Sequence, residues 1–297
     1  MCVMQQSSDH GDQSSMLLGL VGEGITASLT PAMQEREGQE HGIAVTYRLL
    51  DAEALGIERS GLPDLVARLV DEGYDGFNVT HPFKQAVVPL LDEVSEHATD
   101  LGAVNTVVVS DGALLGRNTD WSGYAQAFSD AMGDAMPAVT AAPALVVGGG
   151  GAGVAVGYAL LHLGVPHVSV AELDHDRAED WALRLGKRFG DTRVSIARDV
   201  PSALAESGGV VNATPVGMRG HPGTPIPVEL LRPDLWVSDV VYFPLETELV
   251  RTARARGCTV VAGGGMAVHQ AVEAFSLFTG RQADAVRMQR HFAELTI

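Results

Sequence analysis

Val146-Val147-Gly148-Gly149-Gly150-Gly151-Ala152-Gly153 is the stretch on which the fold turns. The apolar run Ala144 to Val147 before it reads as a strand, and Ala152 to Leu163 after it reads as a helix stopped by Gly164. Gly148, Gly150 and Gly153 supply G-x-G-x-x-G in the strand–turn–helix setting that a dinucleotide-binding unit requires. The first glycine permits a tight turn, the second lets the backbone approach a pyrophosphate, and the third lets the helix pack on the strand. Gly151, Ala152 and Gly153 then offer N–H groups at a helix N-terminus, where the dipole favours phosphate.

The next strand, His167 to Ala171, runs into Glu172-Leu173-Asp174. An acid about 20 residues beyond the glycine loop bonds the adenine-ribose hydroxyls, and its charge repels a 2′-phosphate. No arginine follows before Arg177. Glu172, with Asp174 and Arg177 beside it, therefore predicts NAD in preference to NADP.

Outward from this loop, short β-branched runs alternate with amphipathic stretches. Towards the N-terminus, strands read at Leu17 to Val21, Ile43 to Leu50 and Gly76 to Val79, and a helix at Leu62 to Glu72. Pro31 suits the first turn of a helix capped by Thr30. Gly102 to Val109 and Ala113 to Gly116 read as a strand pair joined at Ser110-Asp111-Gly112. Towards the C-terminus, strands read at Gly209 to Ala213, Trp236 to Val241 and Thr259 to Ala262, and helices at Met266 to Thr279 and Asp284 to Leu295. The alternation implies largely parallel sheets covered on both faces. The fold class is α/β. An N-terminal α/β substrate domain (16–120 and 266–297) accompanies a doubly wound Rossmann dinucleotide-binding domain (121–265), with the C-terminal helices packing back on the first. Residues 1–15 read as a flexible tail, not a signal peptide, because they lack a basic region and an apolar core.

Composition excludes several classes. The 297 residues carry 20 basic and 37 acidic side chains, a net charge of −17, against a nucleic-acid or anionic-membrane partner. No run is long and apolar enough to span a membrane. Cys2 and Cys258 make no disulfide framework, which fits a cytoplasmic protein, and lie in no metal-binding cluster. His162, His167 and His175 lack metal-ligand spacing, so no metal is expected. The sequence does not choose between monomer and homodimer. The 34 glycines, about 11% of the chain against an average of about 7%, point to many turns or ligand approaches. Gly263, Gly264 and Gly265 read as a second place where backbone approaches the cofactor.

Three polar strings stand at strand ends of the first domain, where open α/β sheets bind ligands. They are Ser28-Leu29-Thr30-Pro31, Asn78-Val79-Thr80-His81-Pro82-Phe83-Lys84, and Asn105 with Asn118-Thr119-Asp120. Their hydroxyls and amides suit a small polyol, and a lysine near an aspartate suits proton transfer at an alcohol. Each has a plainer reading: Ser28 and Thr30 as helix caps, Asn78 and Asn105 as turn bonds, Lys84 as a solvated surface residue, His81 as a turn former, Trp121 and Tyr124 as packing.

Together these strings resemble the shikimate dehydrogenase family, from about Leu17 to the C-terminus. The matching motifs are Ser-x-Thr-Pro at 28–31, Asn-Val-Thr-x-Pro-x-Lys at 78–84, Gly-Ala-Val-Asn-Thr at 102–106 and Gly-x-Asn-Thr-Asp at 116–120. The glycine loop, Asn-Ala-Thr-Pro-x-Gly-Met at 212–218 and Met-x-x-x-Gln at 266–270 complete the series. The resemblance implies reversible hydride transfer between a nicotinamide and a cyclic polyhydroxy carboxylate. It implies Lys84 and Asp120 as the catalytic pair, Ser28 and Thr30 on the substrate carboxylate, and Thr80, Asn105, Asp120, Gln270 and Tyr242 about the ring. It places Asn212, Ala213, Thr214, Met218, Val240, Tyr242, Gly263 and Met266 along the cofactor. Thr30, His81 and Glu172-Leu173-Asp174 replace residues usual in the NADP-linked biosynthetic enzymes. In these positions the chain is similar to the NAD-linked quinate/shikimate dehydrogenases of actinobacteria. A shikimate-only biosynthetic enzyme, an aminoshikimate or aminoquinate dehydrogenase, and a non-catalytic NAD sensor stand as alternatives.

Overall fold

The first strand, β1, is apolar from Met16 to Val21, and its last five residues are buried. It is described here by a computed structural model that covers residues 15–296. Residues 1–14, with Cys2 and the expected tail, lie outside that range. Ser15, expected to belong to the tail, opens β1 (Ser15–Gly22).

The chain continues through α1 (Thr30–Glu40), β2 (Ala44–Asp51), α2 (Ala52–Leu55), α3 (Leu62–Asp71), β3 (Gly76–Val79), β4 (Glu93–Val94), α4 (Glu96–Leu101), β5 (Thr106–Ser110) and β6 (Ala113–Arg117). These strands form one sheet in the order β2-β1-β3-β5-β6-β4. β1 pairs in parallel with β2 and β3, whereas β5 runs antiparallel to both β3 and β6. The sheet is therefore mixed where alternation suggested a parallel one. The two-residue connection at Asp111-Gly112, both at positive φ, can only join antiparallel strands. β5 also starts later than the run from Gly102 suggests, because Gly102 closes α4 in the left-handed conformation (φ 61°).

Pro31 lies in the first turn of α1, as expected, but Thr30 is not the cap. Leu29 holds that position with no side-chain bond, and Ser28 Oγ instead accepts from Thr30 N at 3.3 Å.

α5 (Thr119–Met132) leads through α6 (Met136–Val139) into the second sheet. That sheet contains β7 (Ala144–Val147), β8 (Val168–Ala171), β9 (Val194–Ile196), β10 (Gly209–Asn212), β11 (Trp236–Asp239) and β12 (Thr259–Val261). The order is β12-β11-β10-β7-β8-β9, every pair parallel. The connecting helices are α7 (Gly151–His162), α8 (His175–Phe189), α9 (Val200–Ala205) and α10 (Glu248–Ala255). β9 has no counterpart in the sequence reading; three residues of mixed burial give too little pattern. One face buries Trp181, Tyr158, Phe128 and Leu160. Each such side chain stabilises the fold by about 1.5–3 kcal/mol relative to exposure.

α11 (Gly264–Thr279) and α12 (Ala285–Leu295) return to the first sheet. Val268, Ala271, Phe275, Met288 and Phe292 pack with Met33 and Ile43, and Ala274 and Phe278 pack with Leu18 and Leu20. Gly264 and Gly265 form the first turn of α11. A Cβ on them would meet Phe292 and Leu245, or Ala127.

Candidate active site

The candidate residues gather where strands end. Thr80 and Lys84 follow β3, and Asp120 follows β6. The glycine loop follows β7, Glu172 follows β8, Asn212 ends β10, Val240 follows β11 and Gly263 follows β12. Carboxyl ends of strands are where open α/β sheets hold ligands, since the helix N-termini converge there.

Asp120 lies in the first turn of α5 because Asn118 caps that helix, its side chain accepting from the N–H groups of Asp120 and Trp121. Asn118 Nδ2 donates back to Ala103 O at 2.9 Å. Lys84 Nζ donates to Asp120 Oδ2 at 2.7 Å, and Gln270 Nε2 donates to Asp120 Oδ1 at 2.8 Å. Both oxygens of a buried carboxylate are thus fixed, one by a lysine 25% exposed and one by α11. Lys84 is steadied through its own backbone, whose carbonyl accepts from Val104 N at 2.9 Å.

A polar chain runs behind this pair. Tyr47 Oη donates to Asn78 Oδ1 at 2.7 Å, and Asn78 Nδ2 donates to Thr106 Oγ1 at 2.9 Å. Asn105 Oδ1 accepts from Thr119 N at 2.7 Å, while its Nδ2 donates to Thr119 Oγ1 at 3.0 Å. Asn105 therefore tethers the turn that carries Asp120 and keeps one amide hydrogen for another partner. Ser28 and Thr30 lie half-buried in the β1–α1 region. The loop before them is tied down by Asp51, which accepts from Gly24 N at 3.2 Å and Ile25 N at 3.1 Å. The His81 carbonyl accepts from Glu23 N at 3.0 Å and its side chain is exposed, so it shapes the turn.

The glycine loop makes a tight turn between β7 and α7. Gly148 sits at φ 101°. A Cβ on Gly153 would fall 1.9 Å from Gly148 O, so strand and helix meet there only without a side chain. Gly150 and Gly151 face open space, and the start of α7 has no side-chain cap. Its first N–H groups are thus available to an anion. These features fit a dinucleotide pyrophosphate.

Glu172 reaches under the loop. Its Oε2 accepts from Gly149 N at 2.7 Å, and its Oε1 from Leu173 N at 2.7 Å and Asp174 N at 3.1 Å. Arg177 lies 3.6 Å from both Glu172 and Asp174. Burial alone would raise the Glu172 carboxyl pKa. The three backbone donors and the nearby guanidinium outweigh that and hold it below the usual carboxylate range.

Asn212 is fully buried and its amide is committed inside the protein. Nδ2 donates to Val216 O and to Asp239 Oδ1, both at 2.9 Å, and Oδ1 accepts from Thr214 N and Oγ1. It shapes the loop that presents Ala213, Thr214 and the exposed Met218. Gly263 has a packing reason: a Cβ there would fall 2.6 Å from the carbonyls of Val240 and Val241. Tyr242 is exposed, and Met266 is buried. From Gly263, α11 carries the chain to Gln270 in seven residues, about 10 Å along the helix axis.

Sequence reasoning missed Asp51, Asp239, Thr247, Gly123, Ser122 and Glu273. Asp239 accepts from Asn212, Val241 N and Thr247 Oγ1, and burial pushes its carboxyl pKa up against these bonds. Asp51 and Asp239 are acids at the ends of apolar strands, a signal readable in the sequence. Ser122 and Glu273 have no signal until α5 and α11 meet. An exposed trio, His175, Asp176 and Glu179, brings three potential ligand atoms together at the start of α8, a grouping that spacing did not suggest.

A parallel sheet with a glycine loop at the start of α7, joined by α5 and α11 to a lysine–aspartate pair, is the arrangement of a nicotinamide-dinucleotide-dependent oxidoreductase. Comparison with known proteins narrows this class. Residues 20–107 match the shikimate dehydrogenase substrate binding domain, and residues 263–291 match the shikimate 5′-dehydrogenase C-terminal domain. A shikimate dehydrogenase (NADP(+)) of Streptomyces avermitilis is 49% identical over 95% of this chain and 97% of its own. A quinate/shikimate dehydrogenase (NAD(+)) of Corynebacterium efficiens is 47% identical over 96% of this chain and 100% of its own. The structure of quinate dehydrogenase from Corynebacterium glutamicum in complex with NAD superposes with a TM-score of 0.88 at 46% identity, covering 95% and 99% of the two chains. The chain belongs to the shikimate dehydrogenase family. Among the described residues no helix is long and apolar enough to cross a membrane.

Proposed function

We propose that this protein catalyses the reversible NAD-dependent oxidation of a ring hydroxyl of quinate, shikimate or both, giving the 3-dehydro ketone, in the cytoplasm. The observation that carries this reading is the Asp120 carboxylate held between Lys84 Nζ and Gln270 Nε2. A nicotinamide dinucleotide held at the glycine loop would supply the hydride acceptor. Lys84 Nζ moves the proton: the amine takes it from the hydroxyl in oxidation, and the ammonium returns it in reduction. Asp120 Oδ2 aligns Lys84 and stabilises the ammonium, while Gln270 keeps the carboxylate from rotating. Ser28 and Thr30 take the substrate carboxylate, and Thr80, Asn105, Gln270 and Tyr242 take the ring. Ala213, Thr214, Met218, Val240 and Met266 line the cofactor, and Gly148 to Gly153 hold its phosphates. Residues 16–120 and 266–297 form the substrate lobe, and 121–265 the NAD lobe.

NAD preference rests on Glu172, since the named relatives divide between the two cofactors. Steady-state kinetics with quinate, shikimate and their amino analogues, each with NAD and NADP, tests substrate and cofactor together. Lys84→Ala tests the chemistry. It lowers kcat by about 10²–10⁴, the usual range for general acid–base help, with a modest change in KM. A variant turning over like the wild type refutes the assignment.

A further inference from the structure

Two helices meet at the Lys84–Asp120 pair, and the contact between them has a second half that the proposed chemistry does not use. α5 carries Asp120, Ser122 and Gly123, and α11 carries Gln270 and, three residues on, Glu273. Gln270 Nε2 bonds Asp120 Oδ1 at 2.8 Å. A Cβ on Gly123 would fall 2.8 Å from the backbone N of Gln270, so the helices touch here backbone to backbone. Ser122 Oγ donates to Glu273 Oε2.

We propose that Ser122 and Glu273 form a positioning pair that steadies α11 on α5 one turn beyond Gln270 and so holds Gln270 against Asp120.

Before Gln270 the crossing is held by side chains: Met266 packs with Tyr124 and Phe128, and His269 Nε2 lies 3.1 Å from Asp130 Oδ2. Gln270 itself reaches Asp120 on a long side chain that can re-settle. Ordering such a side chain costs up to about 2 kcal/mol. A second attachment one helical turn away, at residues i and i+3 of α11, limits that re-settling. Glu273 suits this role and little else. Among the described residues no lysine or arginine pairs with it, and burial pushes its carboxyl pKa up, opposed by the Ser122 bond and by His97 nearby. An acid kept half-buried at that cost has its use in the contact it makes. Trp121, between the two α5 positions, is packed by His97 of α4 and by Tyr158 and His162 of α7, which holds the α5 side of the crossing rigid. α11 has independent anchors in Val268, Ala271 and Phe275, so losing the bond leaves the helix folded.

This inference rests on the reading of Asp120 and Gln270 as substrate groups. Its test is a double-mutant cycle on the full chain, with kcat, KM for quinate and shikimate, and KM for NAD. Glu273→Ala and Ser122→Ala each raise KM for the polyol three- to ten-fold, the usual worth of one hydrogen bond, and lower kcat because Asp120 loses its brace, with KM for NAD within two-fold. Glu273→Gln restores the wild-type KM, because an amide oxygen also accepts from Ser122. In a Gln270→Ala background Glu273→Ala adds less than two-fold. A silent Glu273→Ala beside a raised KM in Gln270→Ala overturns the positioning pair alone. So does an effect that multiplies in full in the double variant, or a failure of Glu273→Gln to restore. A silent Gln270→Ala overturns the reading of the site and this inference with it.

Discussion

Replacing Glu172 by glutamine should abolish the proposed preference for NAD over NADP, and the size of the change follows from the site. The Glu172 side chain is 9% exposed and anchored by Gly149, Leu173 and Asp174 N–H groups, so its charge cannot swing away from an arriving ribose. A 2′-phosphate brings about −1.5 to −2 charges. At about 5 Å, each charge pair costs about 0.8 kcal/mol at a dielectric of 80 and about 3 kcal/mol at 20. The edge of a cofactor cleft lies between those limits, and Arg177 at 3.6 Å offsets part of the repulsion. A net penalty of about 2 kcal/mol is roughly thirty-fold in kcat/KM. Glu172→Gln keeps an oxygen for Gly149 N–H, deletes the charge and leaves Arg177 facing the phosphate with Asp174 alone. The ratio of kcat/KM for NAD over NADP should fall by roughly thirty-fold. The assay is initial-rate kinetics with either dinucleotide at saturating quinate or shikimate, at fixed ionic strength because exposed charge is screened. Equal use of both cofactors by the wild type refutes the reasoning, as does a ratio unmoved within two-fold in the variant.

Gly153→Ala forces a methyl to 1.9 Å from Gly148 O, so the turn must open. We expect at least about a hundred-fold loss of NAD affinity by calorimetry, close to 3 kcal/mol, with the first-lobe core intact by circular dichroism; wild-type affinity would show that the turn tolerates a side chain. Glu37 is fully buried and accepts from Arg287 Nε at 2.9 Å and Nη2 at 2.5 Å, and from Asp284 N at 2.9 Å. Burial raises its carboxyl pKa, but these donors outweigh burial and hold it below the usual range. Its contribution is therefore complete above the unfolded value of about 4.3 and is lost as pH falls through the lower folded value. Glu37→Ala should cost about 3 kcal/mol in urea unfolding at neutral pH, and the gap from wild type should shrink towards pH 3; a gap independent of pH contradicts this.

Much of the site is written locally. The glycine loop, its strand and its helix are contiguous, so backbone sterics alone place them. Lys84 and Asp120 each follow a short strand and Asn105 precedes β5, which runs antiparallel to β3, so all three lie at one edge of the sheet. Element boundaries were less legible. Thr30 looks like a cap, but Leu29 occupies that position. Gly102 looks like the start of a strand but closes a helix. Both depend on one backbone dihedral that composition does not fix.

The sequence by itself determined the class of fold and the strand–turn–helix of the glycine loop with the acid after the next strand, because these are encoded within a few residues of strand ends; Lys84 and Asp120 stand out only through the family pattern they resemble. Only the tertiary structure decided how they act together. Lys84, Asp120 and Gln270 come from sites 36 and 150 residues apart in the chain. Gln270 meets Asp120 because α5 and α11 cross at Gly123, and Gly263 serves the carbonyls of Val240 and Val241 because α11 begins against them. Such contacts depend on where whole helices lie, which the packing of their buried faces sets and no local pattern records.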